Sequence, residues 1–143
     1  MSFGPLRFRT FCHASEDERK VRHALDFLTG GAAIEAQFTK GHHGNRLVLL
    51  EATVKGKARV EEFWRRIQAG GAIAEILDGV DKRISESMEL CLRFDKQEAY
   101  MGRVALDKGG DVIHLRAKIE VRPAQLDGAV AAVRRYFQKR ELC

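Results

Sequence analysis

Leu6-Arg7-Phe8-Arg9-Thr10-Phe11-Cys12-His13 alternates at every position, with Leu6, Phe8, Thr10 and Cys12 on one side and Arg7, Arg9, Phe11 and His13 on the other. A period of two belongs to a β-strand, whose successive side chains point to opposite faces of a sheet. The segment is therefore expected to be a strand with one face fit for a core and one that is basic and aromatic.

Outward from this strand the periodicity changes. Ser15-Glu16-Asp17-Glu18 has the form of a capping box, in which a hydroxyl and a carboxylate satisfy the free amides of a helix start. Val21, Ala24, Leu25 and Leu28 then supply a buried stripe that Gly30-Gly31 closes. Ile34, Ala36 and Phe38 alternate with Glu35, Gln37 and Thr39, and Arg46–Val54 is a further strand. Residues 33–54 therefore read as a hairpin whose turn spans Lys40-Gly41-His42-His43-Gly44-Asn45.

Val60, Phe63, Trp64 and Ile67 stand at helical spacing before Gly70-Gly71, and Ile73, Ile76, Leu77 and Val80 continue as a second helical segment. Glu89–Asp95 reads as strand four, with Leu90, Leu92 and Phe94 inward. Residues 96–102 read as a helical turn and 104–106 as a short extension or edge strand. A long last strand covers 112–121, with Ile113, Leu115, Ala117, Ile119 and Val121 on one side. Pro123 is expected to open a final helix carrying Val130, Val133 and Phe137. Hairpins grouped with helices imply an α+β, two-layer sandwich, a mostly antiparallel sheet with helices on one face. Its other face stays open to solvent or a ligand.

At 143 residues, 45% hydrophobic and 31% charged, with Pro5 and Pro123 the only prolines, the chain reads as one domain, 1–143. Its apolar runs, such as Leu47–Leu50, fall far short of the roughly 20 residues that span a bilayer. The N-terminus shows no basic-then-apolar leader pattern. Cys12, Cys91 and Cys143 have neither disulfide-framework nor zinc spacing, so free thiols in a reducing cytoplasm are expected. The net charge of +5 and isoelectric point near 9.3 favour polyanionic partners. Acidic residues gather at Glu75, Asp78, Asp81, Glu86 and Glu89, whereas basic ones dominate 40–66 and 134–140.

The open face is where chemistry is expected. Strand one would offer Arg7, Arg9, Phe11 and His13; strand four Cys91, Arg93 and Asp95; the last strand His114, Arg116 and Lys118. Guanidinium and ammonium groups bind phosphates, and an aromatic or imidazole plane stacks an unpaired base, so this mixture suits single-stranded RNA. A dimer seam or a merely solvated face would share the pattern. The hairpin tip is a second candidate. Its glycines allow close approach of backbone amides to a phosphate, with Lys40 and Arg46 flanking and His42, His43 and Asn45 adding donors; Lys96 joins the RNA-binding candidates. No metal and no cofactor are expected, since adjacent histidines seldom converge on one ion and no further ligand stands at the required spacing.

Two competing readings remain. Asp95, Glu98 and Glu51 could gather at a sheet end and hold Mg²⁺ for phosphodiester cleavage, although Asp95-Lys96-Gln97-Glu98 also fits a helix start with Asp95 as its cap. No Walker loop, Rossmann fingerprint, Gly-x-Ser-x-Gly or His-Glu-x-x-His occurs. The third reading is a protein–protein adaptor of RNA-processing machinery that touches no RNA.

Arg9-Thr10-Phe11-Cys12-His13-Ala14-Ser15-Glu16-Asp17-Glu18, Thr39-Lys40-Gly41-His42-His43-Gly44-Asn45, Leu92-Arg93-Phe94-Asp95-Lys96-Gln97-Glu98-Ala99-Tyr100 and Asp111-Val112-Ile113-His114 together resemble an archaeal family of predicted RNA-binding proteins. That family is described as a candidate exosome subunit or accessory. The resemblance implies a fold similar to the ribosomal protein that binds 5S RNA in the large subunit. It also implies RNA, and exosome or other RNA-processing proteins, as partners. It carries over no assigned binding or catalytic residues. Ser85-Glu86-Ser87 departs from the acidic-glycine turn expected before strand four.

Overall fold

The alternating N-terminal stretch lies at the centre of the sheet in the computed structural model, which describes residues 1–40, 46–107 and 109–141. The strands are β1 (Ser2–His13), β2 (Ile34–Lys40), β3 (Arg46–Val54), β4 (Glu89–Asp95) and β5 (Val112–Glu120). They form one sheet in the order β2-β3-β1-β5-β4, antiparallel at every pairing. The α+β reading holds. The helices are α1 (Glu18–Thr29), α2 (Lys57–Ala69), α3 (Ile73–Leu77), α4 (Val80–Arg83), α5 (Lys96–Tyr100) and α6 (Leu126–Glu141).

One sheet face and the helices build the core. Leu6, Phe8, Leu50, Leu92, Phe94, Leu115 and Ala117 are buried on that face. Phe8 and Phe94 meet Phe63 of α2 edge-on, with ring centroids at 5.4 and 6.4 Å, and Trp64 packs against Phe137 of α6 at 5.3 Å. Each such aromatic side chain contributes about 1.5–3 kcal/mol of burial, so this face could not be the exposed one. The opposite face carries Arg7, Arg9, Phe11, His13, Arg93, Arg116 and Lys118 in exposed positions.

Several local readings change. β1 begins at Ser2 rather than Leu6, because a register shift between Phe3 and Leu6 lets both side chains point inward despite their odd spacing. Asp17, not Ser15, caps α1 by accepting from the Arg19 amide, while the Glu16 carboxylate is turned toward the His13 amide and the Lys96 ammonium. The segment after Gly71 divides into α3 and α4, since Gly79 takes the left-handed conformation at φ 72°. The last helix starts at Leu126, three residues past Pro123. Residues 104–107 cover the free edge of β4: Asp95 N–H donates to the Ala105 carbonyl and Asp107 N–H to the Arg93 carbonyl.

Candidate nucleic-acid interface

The register of three strands assembles the open face. Arg7 stands opposite Arg116, and Arg116 opposite Cys91; Arg9 stands opposite His114, and His114 opposite Arg93. Across β1, β5 and β4 one row thus runs Arg9-His114-Arg93 and the next Arg7-Arg116-Cys91. Like charges placed directly opposite one another destabilise a sheet, and here no core requirement compels them. Among the described residues, Arg9, Arg93 and Arg116 hold no ion pair. Arg7 does: its guanidinium reaches Glu89 at 2.7 Å, and Lys118 donates to the Ser87 carbonyl at 2.7 Å. Arg9, Arg93 and Arg116 surround His114, and Glu51 of β3 stands opposite Arg9 on its other side.

His114 is half-buried, and its pKa is lowered from the ordinary value, first by burial and then by the charges of Arg93, Arg116 and Arg9. An anion brought among these arginines would relieve that repulsion. Burial also raises the Cys91 thiol, against the lowering effect of Arg116, so Cys91 is not poised as a nucleophile.

Next along β1, Phe11 is 36% exposed and lies opposite Leu49 of β3. The Arg9 guanidinium sits 5.8 Å from the Phe11 ring centroid, within cation–π range. Leu49 is buried although it belongs to the open-face parity. It was not among the candidates from sequence; the run Leu47-Val48-Leu49-Leu50, apolar on both parities, carried the signal. Phe11 is the exposed apolar surface beside the cations, next to the buried Leu49.

The other candidates are placed differently. His42, His43 and Asn45 lie outside the described residues. Lys40 and Arg46 pair across the hairpin on the helix-side parity, opposite to Arg9, with Arg46 stacked 4.6 Å from the Phe38 ring centroid. Between the hairpin and the arginines, β2 and β3 put Glu35, Gln37, Thr39, Leu47, Leu49, Glu51 and Thr53 on the open face. No cation bridges the gap on those strands. Lys96 is enclosed, unlike the other candidates: its side chain is 9% exposed and its ammonium donates to the Phe11 carbonyl at 2.7 Å, to Glu16 and to Asp111. A charge so enclosed is a structural tie between β1, α5 and the start of β5, with no donor left for a ligand.

A family model described as RNA binding matches residues 5–119, from within β1 to the penultimate residue of β5. The chain belongs to this RNA-binding family. The RNA-binding protein PAB1135 of Pyrococcus abyssi is 31% identical over 93% of this chain and 92% of its own length. Among solved structures, protein AF2318 of Archaeoglobus fulgidus is 30% identical with a TM-score of 0.83, covering 99% of this chain and 100% of that one. Mth689, a DUF54 protein of Methanothermobacter thermautotrophicus, is 30% identical with a TM-score of 0.85 over 94% and 98% of the two chains.

Within this member of the family the carboxylates considered for metal-assisted cleavage do not gather. Asp95 caps α5 by accepting from the Glu98 amide at 2.8 Å, and Glu98 pairs with Arg103 at 2.6 Å. Glu51 lies on β3, separated from Asp95 by β1 and β5. His13, Glu16 and Asp111 do bring ligand-type atoms within 4.8 Å of one another. The Lys96 ammonium, bonded to both carboxylates, already supplies the positive charge there. No helix among the described residues is long and apolar enough to cross a membrane.

Proposed function

We propose that this protein holds RNA on the open face of its sheet, as an accessory of RNA-processing machinery. The observation that carries the reading is the cluster Arg9, Arg93 and Arg116 around His114, three guanidinium groups on adjacent strands that hold no ion pair among the described residues. Guanidinium forks match phosphate oxygens, and the exposed Phe11 ring one row away offers a base a surface to stack on. Arg7, Lys118 and His13 extend the surface along the same strands. Membership of the RNA-binding family supports the ligand, and the resemblance to proteins described as exosome accessories supports the setting. Lys40 and Arg46 would meet RNA only where it wraps past the hairpin.

Mapping amide chemical shifts during titration with a single-stranded oligoribonucleotide tests the reading. Perturbations should centre on β1, β5 and β4 at Arg9, His114 and Arg93. Perturbations confined to the helix side would contradict it.

A further inference from the structure

The two edges of the sheet are treated differently. The edge at β4 is covered by residues 104–107, where the Ala105 carbonyl accepts from the Asp95 N–H and the Asp107 N–H donates to the Arg93 carbonyl. Among the described residues no strand pairs with the outer edge of β2. An open edge is a template for another strand. We infer that β2 pairs antiparallel with β2 of a second copy, about a two-fold axis at Gln37, joining the two five-stranded sheets into one. The inference goes beyond the RNA reading and does not depend on it.

The sequence of β2 lacks two devices that keep an edge from pairing. Its ladder with β3 runs from Ile34 to Lys40 without a bulge, and it contains no proline. Glu35 and Lys40 are its only charges, one on each face, with Lys40 at the very end. On the helix side its row is Ile34, Ala36 and Phe38. The helix α1 packs over β1 and β3, and beyond them this apolar row opens to solvent. Ile34 and Ala36 are half-buried, and Phe38, at 65%, is the most exposed large apolar side chain among the described residues. Arg46 stacks 4.6 Å from the Phe38 ring centroid and still leaves it that open.

The strand is complementary to itself. Antiparallel pairing sets residues of the same face opposite one another. An axis at Gln37 uses all seven residues of β2. It sets Ala36 against the second copy's Phe38, Ile34 against Lys40 and Glu35 against Thr39, each pair occurring twice. Phe38 then covers Ala36, with Ile34 and the other Phe38 on its diagonals. The Thr39 hydroxyl is placed to donate to the Glu35 carboxylate, and no like charges stand opposite. A two-fold axis perpendicular to the sheet also keeps both open faces on one side. With strands about 4.8 Å apart, the two His114 clusters lie roughly 35 Å from each other on one surface.

A seam of one strand pair belongs among the small interfaces, so a dissociation constant on the order of 10 µM is expected. Sedimentation velocity on nuclease-treated protein, from about 1 to about 300 µM, should show monomer passing to dimer. Dimer should gain as salt screens the +5 charge of each copy. Q37K sets two ammonium groups against each other at the axis and should weaken association about tenfold. Q37E should do the same, and an equimolar mixture of the two variants should associate at least as well as wild type. Gln37 is exposed, so both variants should keep the fold, which circular dichroism checks. A protein that stays monomeric throughout the range would overturn the inference. So would a dimer indifferent to Q37K and to the mixing.

Discussion

Arg9 of β1 and His114 of β5 stand directly opposite one another, and Arg93 of β4 faces the same imidazole from its other side. The arrangement places a titratable ring at the centre of the candidate phosphate site. Its consequences can be measured without knowing the natural RNA.

The first concerns pH. Burial and the charges of Arg93, Arg116 and Arg9 hold the His114 pKa below its ordinary 6.5 in the free protein. A phosphate among the arginines offsets the repulsion and raises it, so binding takes up a proton. RNA affinity is expected to rise as pH falls from about 7.5 to about 5.5, and His114→Ala should flatten that profile. Folding responds in the opposite sense. Below 6.5 the unfolded chain binds more protons at this histidine than the folded one, so its contribution to stability falls as the pH drops through that window.

Phe11 should act by its ring. Phe11→Ala is expected to cost about 1–3 kcal/mol of binding to single-stranded RNA, the range for one stacked base. Phe11→Tyr should keep most of the affinity. Isothermal titration calorimetry on the two variants separates stacking from the charge of Arg9 beside it.

Lys96 should matter to stability. Its ammonium satisfies the Phe11 carbonyl, Glu16 and Asp111 at once. Lys96→Met leaves two carboxylates facing each other and an unsatisfied acceptor, at a cost of about 2–3 kcal/mol after allowance for the exposure of Asp111. The midpoint of urea denaturation would report it.

Arg66 offers the control for basic residues outside the site. It donates to the Phe27 and Leu28 carbonyls at 2.8 and 3.0 Å, closing the C-terminal end of α1 from the neighbouring helix. Arg66→Ala is expected to lose about 2 kcal/mol of stability while leaving RNA affinity of the folded protein unchanged, measured by thermal melts beside anisotropy.

The open face was legible because it needs only alternation. Arg7, Arg9, Phe11 and His13, and likewise Arg93, His114 and Arg116, fall on one face by parity alone, whatever the strand order. Features that depend on register or on distant segments were not legible. Lys96 sits at an exposed-looking position between Asp95 and Gln97, and only the approach of Phe11, Glu16 and Asp111 encloses it. The inward turn of Phe3 depends on the bulge at Gly4-Pro5, which breaks the alternation. Lys40 and Arg46 flank the hairpin tip in sequence, but only the strand pairing shows that they lie on the helix side, away from Arg9.

The most direct test of the open-face site is the salt dependence of RNA binding by wild-type protein and by the variant carrying R9Q, R93Q and R116Q. Each phosphate contact on a single strand contributes about 0.7 to the slope of log affinity against log salt. The variant is expected to bind at least tenfold more weakly at low salt, with a slope shallower by about 2, while circular dichroism shows the fold unchanged. A folded variant with wild-type affinity and wild-type slope would contradict the assignment of this face to RNA.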